Sequence, residues 1–70
     1  GGDATSATAV QTYIRQMVAD ENRAKPLSDS QIMQKLADQG IVIARRTVAK
    51  YREALRIAPA ALRKAQAAAR

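Results

Sequence analysis

The stretch Ala44 to Ile57, ARRTVAKYREALRI, constrains this chain most, because its apolar residues Val48, Tyr51 and Leu55 recur at helical spacing inside a cationic run. With Val48 at zero and about 100° per residue, Tyr51, Arg52 and Leu55 fall within roughly 60° of it. Arg46, Lys50 and Glu53 fall on the far side, flanked by Arg45 and Ala49. The segment predicts an amphipathic helix whose core face and basic outward face are separate.

A helix of that kind needs others to cover it. The chain has 70 residues, enough for one domain. A domain of this size buries only about 60% of the surface its unfolded chain exposes, so the core must be small. With no Cys and no His there is no disulfide framework, no zinc finger and no histidine base, and packed helices must supply the stability. The longest apolar runs, Gly40 to Ala44 and the C-terminal alanines, fall far short of the roughly 20 residues a bilayer span requires. With no signal peptide either, the expectation is a soluble protein of the cytoplasm without a membrane partner. Gly1 and Gly2 read as a vector-derived scar, and the chain as a fragment of something larger.

A first helix is predicted after a small polar segment, with Ser6 or Thr8 as its N-cap and Val10, Tyr13, Ile14, Met17 and Val18 as its core stripe. It should end around Asn22 to Lys25, ahead of Pro26. Next comes an explicit helix start. Ser28 and Gln31 have capping-box spacing, and Leu27 and Ile32 are placed to close a hydrophobic staple. Ile32, Met33 and Leu36 give that second helix an apolar face to about Gln39, where Gly40 suits the left-handed position that ends helices. Ile41 and Ile43 alternate with Val42 and are expected to tuck under the two helices. Beyond Ile57, Pro59 can open a further alanine-rich helix docked by Leu62, or the segment can stay a flexible basic tail.

The fold class is therefore all-α: a small three-helix domain containing a helix-turn-helix, ending in either a short C-terminal helix or a flexible basic tail. The expected organisation is a scar and flexible N-terminus over 1–8, the helical domain over 9–57 and the alanine-rich basic tail over 58–70. The alternative on pattern alone is an ordinary three-helix bundle. Charge separates the two readings. From Arg45 onward eight cations oppose only Glu53, a net +7, whereas the preceding part has four cations against five carboxylates, a net −1. A basic helix on a near-neutral scaffold suits a polyanionic partner, whose condensed counterions are released on binding.

The ten residues Ala44, Arg45, Arg46, Thr47, Val48, Ala49, Lys50, Tyr51, Arg52 and Glu53 resemble the complete signature, the RpoN box, of the sigma-54 family of bacterial transcription initiation factors. Pro26-Leu27-Ser28-Asp29 and Gly40-Ile41 are similar to that family's approach to the box. The resemblance covers about Val10 to Ile57, and the alanine-rich tail after Pro59 departs from it. It implies a C-terminal DNA-binding domain that recognises the upstream, GG-containing promoter element, the −24 element, and holds RNA polymerase holoenzyme at enhancer-dependent promoters. It also implies that polymerase contacts lie outside this fragment, in a bacterial, nucleoid-associated protein.

In a helix-turn-helix the N-terminal part of the second helix enters the major groove. Arg46 is then the first choice to read guanine O6 and N7 bidentately, with Lys50 one turn on donating to guanine or to a phosphate. Arg45 is placed to grip a phosphate, helped by the Thr47 hydroxyl and the amides of the helix start. Ala49 either contacts a thymine methyl group or simply favours helix. Glu53 can accept from a cytosine amino group, though an intrahelical pair with Lys50 or Arg56 is the plainer reading. Arg56 reaches phosphate from further along the helix, and Arg52 snorkels from the core edge. Arg63, Lys64 and Arg70 either add non-specific phosphate contacts or belong to a solvated tail.

An enzyme is the weakest rival, since no glycine-rich phosphate loop or evident carboxylate pair joins the missing His and Cys; no cofactor or metal is expected. An RNA-binding module usually displays aromatic platforms, and here Tyr13 and Tyr51 are both assigned to core stripes. A basic protein-interaction bundle and a dimeric helix-turn-helix repressor remain as alternatives. With no apolar stripe left over for a dimer interface, the expectation is a monomer on double-stranded DNA.

Overall fold

A computed structural model describes residues 7–69. The chain forms α1 (Ala7–Asp20), α2 (Asp29–Asp38), α3 (Arg45–Ala54) and α4 (Ala60–Ala68). No strand occurs among the described residues, and the fold is a small all-α domain. Ser6, one of the two candidate caps for α1, lies outside the described residues. Thr8 sits inside the helix, where residue 12 donates its hydroxyl back to the Thr8 carbonyl at 2.9 Å.

The core is one cluster: Val10 and Ile14 from α1, Ile32 and Leu36 from α2, Ile41 from the following turn and Val48 from α3. Burying each of the larger side chains stabilises the fold by about 1.5 to 3 kcal/mol. Met17, Val18, Leu27, Met33, Ile43, Tyr51, Leu55 and Ile57 pack around it, partly buried. Tyr13 is the exception to the predicted stripe, 41% exposed. It lies about 80° around the helix from the Val10–Ile14 direction, too far to reach the core.

The α1 helix stops at Asp20, short of the expected range, because the next residues offer the backbone other partners. Asn22 accepts from the Ala24 amide through Oδ1 and from the Lys25 amide through its carbonyl, both at 2.9 Å. That local side-chain turn competes with helix before Pro26 is reached. The α2 start matches its sequence signature in full: the Gln31 amide donates to Ser28 Oγ at 3.1 Å and the Ser28 amide to Gln31 Oε1 at 2.9 Å. A cap of this kind contributes about 1 kcal/mol. At the other end Gly40 adopts φ +84°, the Gly40 amide donates to the Ala37 carbonyl and Ile41 to Leu36. This is a Schellman turn, and it folds Ile41 back over Leu36 into the core. Ile43 follows half-buried, while Val42 between them is 86% exposed.

The α3 helix ends at Ala54 and does not run to Ile57 as its periodicity suggested. A second Schellman turn closes it: the Arg56 amide donates to Glu53, the Ile57 amide to Arg52, and Arg56 takes φ +60°. The apolar residue at position 57 therefore reaches the core edge after a chain reversal, not along a helix face.

The C-terminal segment resolves in favour of a helix. Pro59, expected as its first residue, is its N-cap, so the helix starts one position later at Ala60, and Leu62, nominated to dock it, is half exposed. Arg63 docks it instead. Its Nε donates to Glu21 Oε2 and its NH2 to Glu21 Oε1, each at 2.8 Å, and NH2 also reaches the Leu27 carbonyl at 2.6 Å. NH1 donates to the Ala58 carbonyl. Glu21 in turn accepts from the Leu27 amide at 2.9 Å, so one ion pair joins α4 to the α1–α2 connection.

Candidate nucleic-acid interface

The outward face of α3 is displayed by the burial of the other face. Val48 is fully buried, Tyr51 and Leu55 are half-buried, and so Arg46, Lys50 and Glu53 stand exposed; Arg45, about 60° from Val48 around the helix, is exposed as the first residue of α3. Thr47 and Ala49, on the two flanks, are half-buried. The turn from Gly40 to Ala44 sets α3 against α2, and both helices pack on α1. α2, a short turn and α3 follow one another in the order that a helix-turn-helix uses.

The start of α3 breaks the rules that the start of α2 obeys. Its N-cap is Ala44, with no side-chain hydrogen bond, and its first turn holds no acidic residue. The Thr47 and Val48 amides share the Ala44 carbonyl at 3.0 and 3.1 Å. The Arg45 and Arg46 amides have no intrahelical acceptor, as in the first turn of any helix. Two arginine cations stand where the helix dipole already places positive charge, an arrangement that costs about 0.3 to 1 kcal/mol per charge at an exposed site. Amides, dipole and guanidinium groups all favour an anion at this point.

Glu53 makes no ion pair with Lys50 or Arg56 among the described residues, contrary to the plainer sequence reading. The described ion pairs are Arg52 with Asp29 and Arg63 with Glu21, both bidentate across elements. Arg56 is exposed, but its left-handed backbone takes it off the helical path on which it was expected to reach outward. Arg52 does not snorkel: the residue is 5% exposed and directed into the fold. Its angular position, about 40° from Val48, was the available signal, because a cation that far inside an apolar face needs a buried partner. Arg63, expected either to add a phosphate contact or to belong to a solvated tail, is instead occupied by Glu21 and two carbonyls. Lys64 remains exposed beside it, and Arg70 lies outside the described residues.

Burial pushes the Glu21 carboxyl up, but the hydrogen bonds from Arg63 and the Leu27 amide, with the charge of Arg63, outweigh it and hold the group below its ordinary range. The consequence is structural, since this carboxylate stands on the α4 side of the molecule and outside the α3 face.

Comparison with known proteins agrees with this geometry. The model of the family described as "Sigma-54, DNA binding domain" matches residues 1–65. The chain is 60% identical over 63 residues to the RNA polymerase sigma-54 factor of Vibrio anguillarum, covering 90% of this chain and 13% of that protein. It is 53% identical over 64 residues to the factor of the same name from Escherichia coli (strain K12), covering 91% and 13%. For the Azotobacter vinelandii factor the identity is 56% over 63 residues, covering 90% and 12%. The chain thus spans only 12 to 13% of the length of these relatives.

Proposed function

Because this chain belongs to the sigma-54 DNA-binding domain family, we propose that it binds the GG-containing upstream promoter element, the −24 element, by inserting the first half of α3 into the major groove. In the full-length protein that contact anchors RNA polymerase holoenzyme at enhancer-dependent promoters, with the polymerase bound by regions outside this chain. The domain works as a cytoplasmic monomer on an asymmetric site.

The observation that carries this reading is the uncapped start of α3, where two exposed arginines and the helix dipole have no acidic partner among the described residues. In isolation that arrangement is destabilising, and a DNA phosphate converts it into a binding site. Arg46 reads guanine, Lys50 one turn on donates to guanine or phosphate, and Arg45 and Thr47 hold the backbone. Ala49 lets the helix approach the groove floor, and Glu53, without an ion pair among the described residues, is available to a cytosine amino group. Arg56 supplies a further phosphate contact from the turn after the helix.

The test is fluorescence anisotropy with a GG-containing duplex and its scrambled counterpart over a range of salt concentrations. A preference for the GG duplex that persists as salt rises is expected. Arg46→Ala should remove about 1 to 3 kcal/mol of that preference. Equal losses on both duplexes would reassign Arg46 to the phosphate backbone.

A further inference from the structure

Arg52 is turned inward from α3, and each of its three guanidinium nitrogens donates a hydrogen bond. Its Nε donates to Asp29 Oδ1 at 2.8 Å, NH2 to Asp29 Oδ2 at 3.3 Å, and NH1 to the Ile57 carbonyl at 2.9 Å. The arginine side chain is 6% exposed and that of Asp29 23%. Asp29 is the first residue of α2, and Ile57 lies just beyond the left-handed Arg56. One side chain therefore ties the start of α2, the second half of α3 and the exit of the chain from α3.

Stability alone does not account for an arginine here. Exchanging a buried ion pair for apolar residues of similar volume is often neutral or stabilising, because both charges have been stripped of water. What an apolar contact lacks is direction: it lets one helix slide or turn on another at little cost. A guanidinium–carboxylate fork fixes both distance and angle. Reading DNA needs that definition, since base-edge contacts from α3 must form while backbone contacts are made by other elements on the same duplex.

We propose that Arg52, through Asp29 and the Ile57 carbonyl, is a positioning residue for sequence readout. It sets how α3 lies relative to the first turn of α2 and to Arg56, and so governs discrimination between sequences more than overall affinity. The inference rests on the reading above, in which α3 enters the major groove.

The experiment compares the 70-residue chain with the double variant Asp29→Leu/Arg52→Met and with Arg52→Lys. Anisotropy is measured on the GG and scrambled duplexes at a temperature where circular dichroism shows every protein folded. The double variant is expected to resist urea at least as well as the parent, yet its GG-to-scrambled affinity ratio should fall about tenfold, near the lower range for one misplaced base contact. Arg52→Lys keeps the charge opposite Asp29 but loses the planar fork, and its ratio should fall in the same direction. It carries the test if the double variant does not fold. A purely structural pair would shift the urea midpoint and leave the ratio unchanged in both variants, which overturns the inference while the groove reading stands. A parent chain with no preference for the GG duplex overturns the groove reading itself, and this inference with it.

Discussion

Gly40 and Arg56 occupy the same position in two successive Schellman turns, one residue past the caps of α2 and α3, with φ of +84° and +60°. At Gly40 the left-handed backbone meets no Cβ penalty. At Arg56 it does, and the penalty for an L residue there is about 1 to 2 kcal/mol. The chain thus places a strain-free residue where the turn only has to build the core, and a strained one beside the proposed DNA-reading helix. A residue kept against its backbone preference is a reason to look for work done by its side chain.

Arg56→Gly should therefore move stability and binding in opposite directions. Relief of the left-handed strain exceeds the roughly 0.5 to 1 kcal/mol of added freedom that glycine gives the unfolded chain, so the variant should melt at a higher temperature. Its affinity should fall equally on specific and scrambled duplexes, and the slope of log K against log salt should flatten by about 0.9, the loss of one phosphate contact. Unchanged binding with raised stability would remove Arg56 from the interface.

Arg63→Ala should act on the fold. Removing the guanidinium strands Glu21, whose side chain is 6% exposed, and releases the anchor of α4. Breaking a buried pair from one side costs about 3 kcal/mol or more. Urea denaturation should show that loss, and hydrogen exchange should show α4 amides losing protection. Since alanine is the better helix former, a variant of unchanged stability and greater helicity would mean that the clamp contributes nothing.

The same pair makes the protein sensitive to acid. The Glu21 carboxyl is held below its ordinary range in the folded chain, so the folded state favours its ionised form. The stabilisation is complete above the unfolded value of about 4.3 and is lost as pH falls through the lower folded value. Urea midpoints measured from neutral pH downward should stay level until the carboxylate range and then drop. Glu21→Gln should start from a lower midpoint and lose part of that acid slope; an identical slope would place the acid-labile carboxylate elsewhere.

Local order along the chain was legible where its cause was local. The Ser28–Gln31 box, the Gly40 turn and the Val48 face each depend on residues within one or two helical turns, and each appears in the structure. Periodicity likewise placed Arg46, Lys50 and Glu53 outward. It misplaced Tyr13, where a stripe drawn at i, i+3 and i+4 was wider than the surface α1 buries. The end of α3 was missed because a left-handed arginine carries none of the composition that marks such a turn.

What the sequence by itself determined is therefore the first three helices, the α2 capping box, the Gly40 turn and the basic outward side of α3, all products of short-range periodicity and backbone chemistry. Only the tertiary structure decided which cations are free. Arg52 meets Asp29 across 23 positions and Arg63 meets Glu21 across 42, distances at which spacing along a helix has no bearing. Those partners are set by how packed helices bring remote residues together, and in a small core a buried guanidinium is held only where a carboxylate arrives with it.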